Sequence, residues 1–98
     1  MTTKIKQILK KLDINKTGTY DNHFYVLKLD DSNEYAKVYT KLCDNAINQE
    51  YPYFDTNTSK STIKVTNYFE FELDNIIYNI FLIGNFDTEE YYLKIGEK

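Results

Sequence analysis

The sequence predicts an α+β domain, an N-terminal amphipathic helix packed on an antiparallel sheet of about five strands, and three patterns predict it. Near the N-terminus Ile5, Ile8, Leu9 and Leu12 recur at helical spacing, with Lys4, Lys6, Gln7, Lys10 and Lys11 opposite. From Ile63 to Leu73 the odd positions Ile63, Val65, Phe69, Phe71 and Leu73 are apolar, with Asn67 the one exception. The even positions carry Lys64, Thr66, Tyr68, Glu70 and Glu72, and a period of two marks a half-buried strand. Asp74 and Asn75 tolerate positive φ and lead into Ile76 to Ile83, so the two runs read as a hairpin with a two-residue turn. At 98 residues the chain makes one domain, 1–98, able to bury roughly 60–70% of its unfolded surface without disulfides.

The elements follow in order. Thr2 or Thr3 is placed to cap the helix, Lys10 and Lys11 sit at the negative end of its dipole, and Gly18 closes its exit. Its lysine face is expected to be solvated. The segment from Asp13 to Phe24 resembles the calcium loop of an EF-hand. Asp13, Asn15, Thr17 and Asp21 supply oxygens at alternating positions, Gly18 stands at the sharp turn, and Tyr20 takes the apolar place. Phe24 stands where that family has a bidentate glutamate, so a polar turn without a metal is expected.

Phe24 to Leu29 reads as a strand and Asp30 to Asn33 as a turn. Glu34 to Leu42 fits two patterns. Tyr35, Val38, Tyr39, Leu42 and Ala46 suit a helix capped by Asp31 with Glu34 completing the box. The Tyr and Val content and the preceding turn favour a strand that pairs back on Phe24 to Leu29, and a strand is predicted. From Cys43 to Lys60 the chain is polar, and Tyr51, Tyr53 and Phe54 cluster around the only proline on a stretch too irregular for a core element. Asn85 to Glu90 is an acidic connection, and Tyr91, Leu93 and Ile95 alternate as a last short strand.

In the central hairpin, Leu73 with Ile76, Phe71 with Tyr78 and Phe69 with Ile80 form one face, the predicted core face. The other face pairs Glu72 with Ile77, Glu70 with Asn79, Tyr68 with Phe81 and Thr66 with Ile83. A second strand apolar on both sides predicts a covering layer on this face too. The alternative is that Tyr68, Ile77, Phe81 and Ile83 form a patch for a partner.

Composition narrows the functional classes. All twelve basic residues are lysine, and Asn, Ile and Tyr occur ten times each, a bias toward AT-rich codons that suggests a low-GC bacterium or a phage or virus of such a host. Without arginine the guanidinium fork is missing, so sequence-specific DNA reading is not expected. Residues 1–16 carry five Lys against one Asp, and the rest carries seven Lys against fourteen acids, giving an acidic body that attracts basic surfaces. A single cysteine, Cys43, and the absence of an apolar leader predict a reducing cytoplasm.

Catalysis needs convergent nucleophiles, bases or ligands, and the chain offers one His, His23, and one Cys, Cys43. There is no zinc spacing and no glycine-rich phosphate loop. No catalytic residues, metal or cofactor are expected. What remains is recognition: Glu70, Glu72, Asp87, Glu89 and Glu90 as acids facing a lysine- or arginine-rich cleft, with Tyr51, Tyr53, Phe54 and Tyr68 as anchors. In size, charge and composition, with no shared motif, the chain is similar to phage-encoded inhibitors of host defence such as anti-CRISPR proteins, and to toxin-immunity proteins. The acidic, tyrosine-rich surface points to a protein partner with a basic surface, for example a nucleic-acid-binding host protein. The acidic body points to no direct contact with nucleic acid and the short apolar runs to no membrane, for a monomer or homodimer. A self-assembling domain using Ile77, Phe81 and Ile83, and a weak calcium-binding module, are the alternatives.

Overall fold

The computed structural model describes the backbone of residues 3–50, 52–57 and 62–98, with side chains except those of 55–57, 62 and 63. Thr2, Tyr51 and Ser61 lie outside the described residues. In chain order the elements are α1 (Thr3–Lys11), β1 (Thr19–Asp21), β2 (Phe24–Leu29), α2 (Ser32–Asn45), β3 (Asn48–Gln49), β4 (Tyr53–Asn57), β5 (Thr62–Leu73), β6 (Ile76–Asn85) and β7 (Glu90–Glu97). The strands form one antiparallel sheet in the order β1-β2-β7-β6-β5-β3. The long β5 pairs with β4 along the other half of the same edge. This is the expected α+β class, with seven strands in place of about five.

The central hairpin has the register the alternation predicts. Leu73 faces Ile76, Phe71 faces Tyr78, Phe69 faces Ile80 and Thr66 faces Ile83, and the turn residues Asp74 and Asn75 have φ of 52° and 65°. Positive φ at both positions matches the twist of the flanking strands. The inner face of the sheet carries Tyr25, Leu27, Leu29, Phe69, Phe71, Tyr78, Ile80, Leu82, Tyr91, Leu93 and Ile95, all buried. Ile5, Ile8, Leu9 and Leu12 at α1, and Tyr35, Val38 and Leu42 of α2, complete the same core. Each Ile or Leu so buried contributes about 1.5–3 kcal/mol relative to exposure.

The segment predicted as a second strand is α2. Asp31 caps it, its carboxylate accepting from the Glu34 N–H at 2.9 Å, while the Glu34 carboxylate accepts from the Asp30 N–H at 2.7 Å. Satisfying these terminal donors favours the helix, and Tyr35, Val38 and Leu42 then share its buried stripe. The place beside β2 goes to β7, with Leu27 opposite Leu93. The first hairpin is instead β1–β2, turning at Asn22 and His23 with φ of 49° and 76°. The irregular stretch 49–55 is corrected as well: Asn48–Gln49 and Tyr53–Asn57 are short edge strands.

Two local expectations change. Positive φ at the exit of α1 is taken by Asp13 (59°), not Gly18. Gly18 is needed because the chain presses on β2: a Cβ there would lie 2.0 Å from the Val26 carbonyl oxygen. The second is the outer face of the sheet, where no covering layer exists among the described residues. Both helices pack on the inner face, and Ile77, Asn79, Phe81 and Ile83 stay half-buried.

Candidate partner-binding surface

Strand register places the predicted contact residues in two groups. Tyr68, Glu70 and Glu72 lie on the outer face of β5, opposite Phe81, Asn79 and Ile77. Tyr68 is half-buried, its ring 5.1 Å from that of Phe81, and its hydroxyl donates to Asn79 Oδ1 at 2.5 Å. Burial, reinforced by the nearby Glu70 carboxylate, pushes the Tyr68 hydroxyl pKa up. Glu70 is only 7% exposed. Lys98 Nζ donates to its Oε2 and Asn48 Nδ2 donates to its Oε1 at 2.8 Å. The Lys98 hydrogen bond and then the Asn48 one hold this carboxyl below its ordinary pKa. Glu70 is therefore ionised and already partnered within the fold. Glu72 is exposed, with no ion-pair partner among the described residues.

The second group gathers at the far end of the sheet. Tyr53 and Phe54 are 67% and 62% exposed, and as neighbours on the edge strand β4 they point to opposite faces, Tyr53 beside Thr66 and Phe54 beside Val65. Val65 faces Gly84, and Gly84 faces Tyr91. Over Gly84 lies Phe86, a residue the sequence reasoning missed. Its ring would meet a Cβ at that glycine at 3.2 Å, and it packs edge-on against Tyr35 and Tyr91 at 5.2 and 5.3 Å. Phe86 is nonetheless 48% exposed. The available signal was an aromatic set in an otherwise polar turn.

Asp87, Glu89 and Glu90 belong to the same end, all exposed. Asn85 shapes the turn, its Oδ1 accepting from the Asp87 and Thr88 N–H groups at 3.1 Å each, and Glu89 turns the chain at φ 57°. Glu90 faces Asn85 and accepts from the Tyr92 hydroxyl at 3.2 Å. The far end thus joins Tyr53, Phe54, Phe86, Asp87, Glu89 and Glu90. Glu70 stands six residues along β5 from Lys64, the partner of Asn85, roughly 20 Å away, so the eight predicted residues that are described do not form one patch.

His23 and Cys43 are not aligned by a common hairpin, since Cys43 is exposed on α2 and His23 lies in the β1–β2 turn. The EF-hand-like segment contains β1, and the chain leaves it into β2 where that family has a second helix. Its Lys16 reaches Asp30 and Glu34 at 2.7 and 2.5 Å. Burial opposes the Lys16 charge, but the hydrogen bonds to Asp30 and Glu34 outweigh it and raise its pKa. Among the described residues no group of three or more His, Cys, Asp or Glu side chains converges, and no helix is long and apolar enough to cross a membrane. No family model, curated protein or solved structure matches the chain.

Proposed function

We propose that this chain is an acidic protein-binding domain of the inhibitor type, whose far end docks on a basic cleft, such as the nucleic-acid groove of a host defence nuclease. One observation carries the reading. Among the described residues five large apolar side chains stand exposed, Tyr20, Ile47, Tyr53, Phe54 and Phe86, and three of them lie at one end of the sheet beside three carboxylates, Phe54 and Phe86 toward the inner face and Tyr53 toward the outer. Aromatic anchors desolvate on contact and supply most of the binding energy, while surrounding charges steer the encounter and select a basic partner. The net charge of −3 favours such a target.

The test is capture from a lysate of a low-GC bacterium by the tagged chain, beside a Phe54→Ala, Phe86→Ala double variant and an Asp87→Lys, Glu89→Lys double variant. The expected result is a stoichiometric nucleic-acid-binding protein whose nucleic acid is displaced. Its affinity falls at least about tenfold for the aromatic variant, and the association rate of the charge variant falls most at low salt. A partner retained with full affinity by both folded variants would overturn the reading.

A further inference from the structure

The outer sheet face is complementary to itself, and we infer that it is the interface of a face-to-face homodimer. Its residues form a grid that the register defines. The middle row runs Val26, Lys94, Phe81, Tyr68 across β2, β7, β6 and β5. One row toward the far end run Lys28, Tyr92, Ile83 and Thr66, and beyond them Glu90, Asn85 and Lys64. On the opposite side lie Gly96, Asn79 and Glu70, then Ile77 and Glu72, with Phe24 packed at the edge against Phe81 at 5.8 Å.

Consider a two-fold axis lying along the middle row. It sets each position of one copy against the position an equal number of residues to the other side in its mate. On β5, Lys64 and Glu72 are each four residues from Tyr68, so Lys64 of one copy meets Glu72 of the other, twice. Both side chains are exposed, and neither has an ion-pair partner among the described residues. On β7, Tyr92 and Gly96 flank Lys94 by two residues each, and the Phe24 ring of the same chain lies over Gly96, so Tyr92 of one copy meets Phe24 of the other. Phe81 and Tyr68 meet their own counterparts across the axis, forming the aromatic centre. Aligned sheets pack in this way, side chains interdigitating between them.

The face spans eight residue steps along β5, from Lys64 to Glu72, and three inter-strand steps from β5 to β2, about 26 by 14 Å. Its plan area of roughly 370 Å² is a lower bound on the accessible surface removed from each copy and places the dimer at the small end of specific interfaces. Lys94 is the one like-charged contact on the axis. Its stem can cover Phe81 while the ammonium leaves the seam, so its replacement by Met should tighten the dimer. With the axis along the middle row, the two far ends point in opposite directions and both stay open.

The experiment is sedimentation equilibrium of the purified chain from micromolar to millimolar concentration. The expected result is a mass moving toward twice 11.7 kDa, with Phe81→Glu monomeric. Lys64→Glu or Glu72→Lys alone should weaken dimerisation about tenfold, because each creates two like-charged contacts, and combining them should restore it. Circular dichroism of each variant confirms the fold. A monomer at all concentrations overturns the inference. So does a dimer indifferent to the single reversals, or a monomer that takes up a different protein on this face.

Discussion

The Asn67 side-chain amide donates a 2.6 Å hydrogen bond to the Tyr35 hydroxyl, tying the middle of β5 to the start of α2 inside the core. Asn67 is 3% exposed and Tyr35 8%. Burial raises the Tyr35 pKa, against the opposing effect of the Asn67 hydrogen bond, so the hydroxyl stays protonated. Tyr35→Phe leaves a buried amide short of a partner and should cost about 1–3 kcal/mol, whereas Tyr35→Phe with Asn67→Leu should recover most of it. Urea denaturation of the two variants checks the asymmetry.

The Asp74–Asn75 turn holds two non-glycine residues in the left-handed region. Asn75→Gly removes that strain and should raise stability by up to about 1 kcal/mol, while Asn75→Val, which resists positive φ, should lower it by about 1–2 kcal/mol. Thermal melts of both variants decide the sign.

Asp31 caps α2 through the Glu34 N–H. Asp31→Ala should destabilise the domain by about 1 kcal/mol. Asp31→Asn, which keeps the acceptor oxygen, should come close to wild type. Guanidinium unfolding followed by helical circular dichroism at both variants measures the difference.

The Glu70–Lys98 pair predicts an acid-sensitive step. Because the folded Glu70 pKa is lowered by Lys98 and then by Asn48, its contribution is present above the ordinary carboxylate value and is lost as pH falls through the folded value. The raised pKa of Lys98, owed first to its hydrogen bond with Glu70, places the other limit in alkali. There the same contribution fades as pH rises through the folded Lys98 value. Glu70→Gln should be less stable than wild type at pH 7 and should converge with it in acid, once the pH lies below the folded Glu70 value. Urea titrations at the two pH values test this.

Local order was legible in the residues themselves. Alternation along Ile63–Leu73 and the Asp-Asn turn set the β5–β6 register residue by residue, because a slip by one position would send Phe69 and Phe71 to solvent. The stripe of Ile5, Ile8 and Leu9 likewise defined α1. Asn67, the one break in the alternation, sits on the inner face all the same, since Tyr35 satisfies it. The acidic end at Asp87, Glu89 and Glu90 was also readable, as charged residues in a short connection stay exposed.

Long-range competition settled the remaining features. The segment from Glu34 to Leu42 fits both periods, and it became helix because β7, some fifty residues later, filled the position beside β2. Phe86 lies over Gly84 and joins the far-end cluster only because β4, β5, β6 and β7 align. The fate of Glu70 turned on Lys98 and Asn48, which are distant in sequence and neighbours across the sheet. Periodicity, turns and charge are local properties, readable along the chain because they follow from residues a few positions apart. The sheet order, the open outer face and the division of the candidate contacts into two groups came from packing, since both helices cover a single face of the sheet.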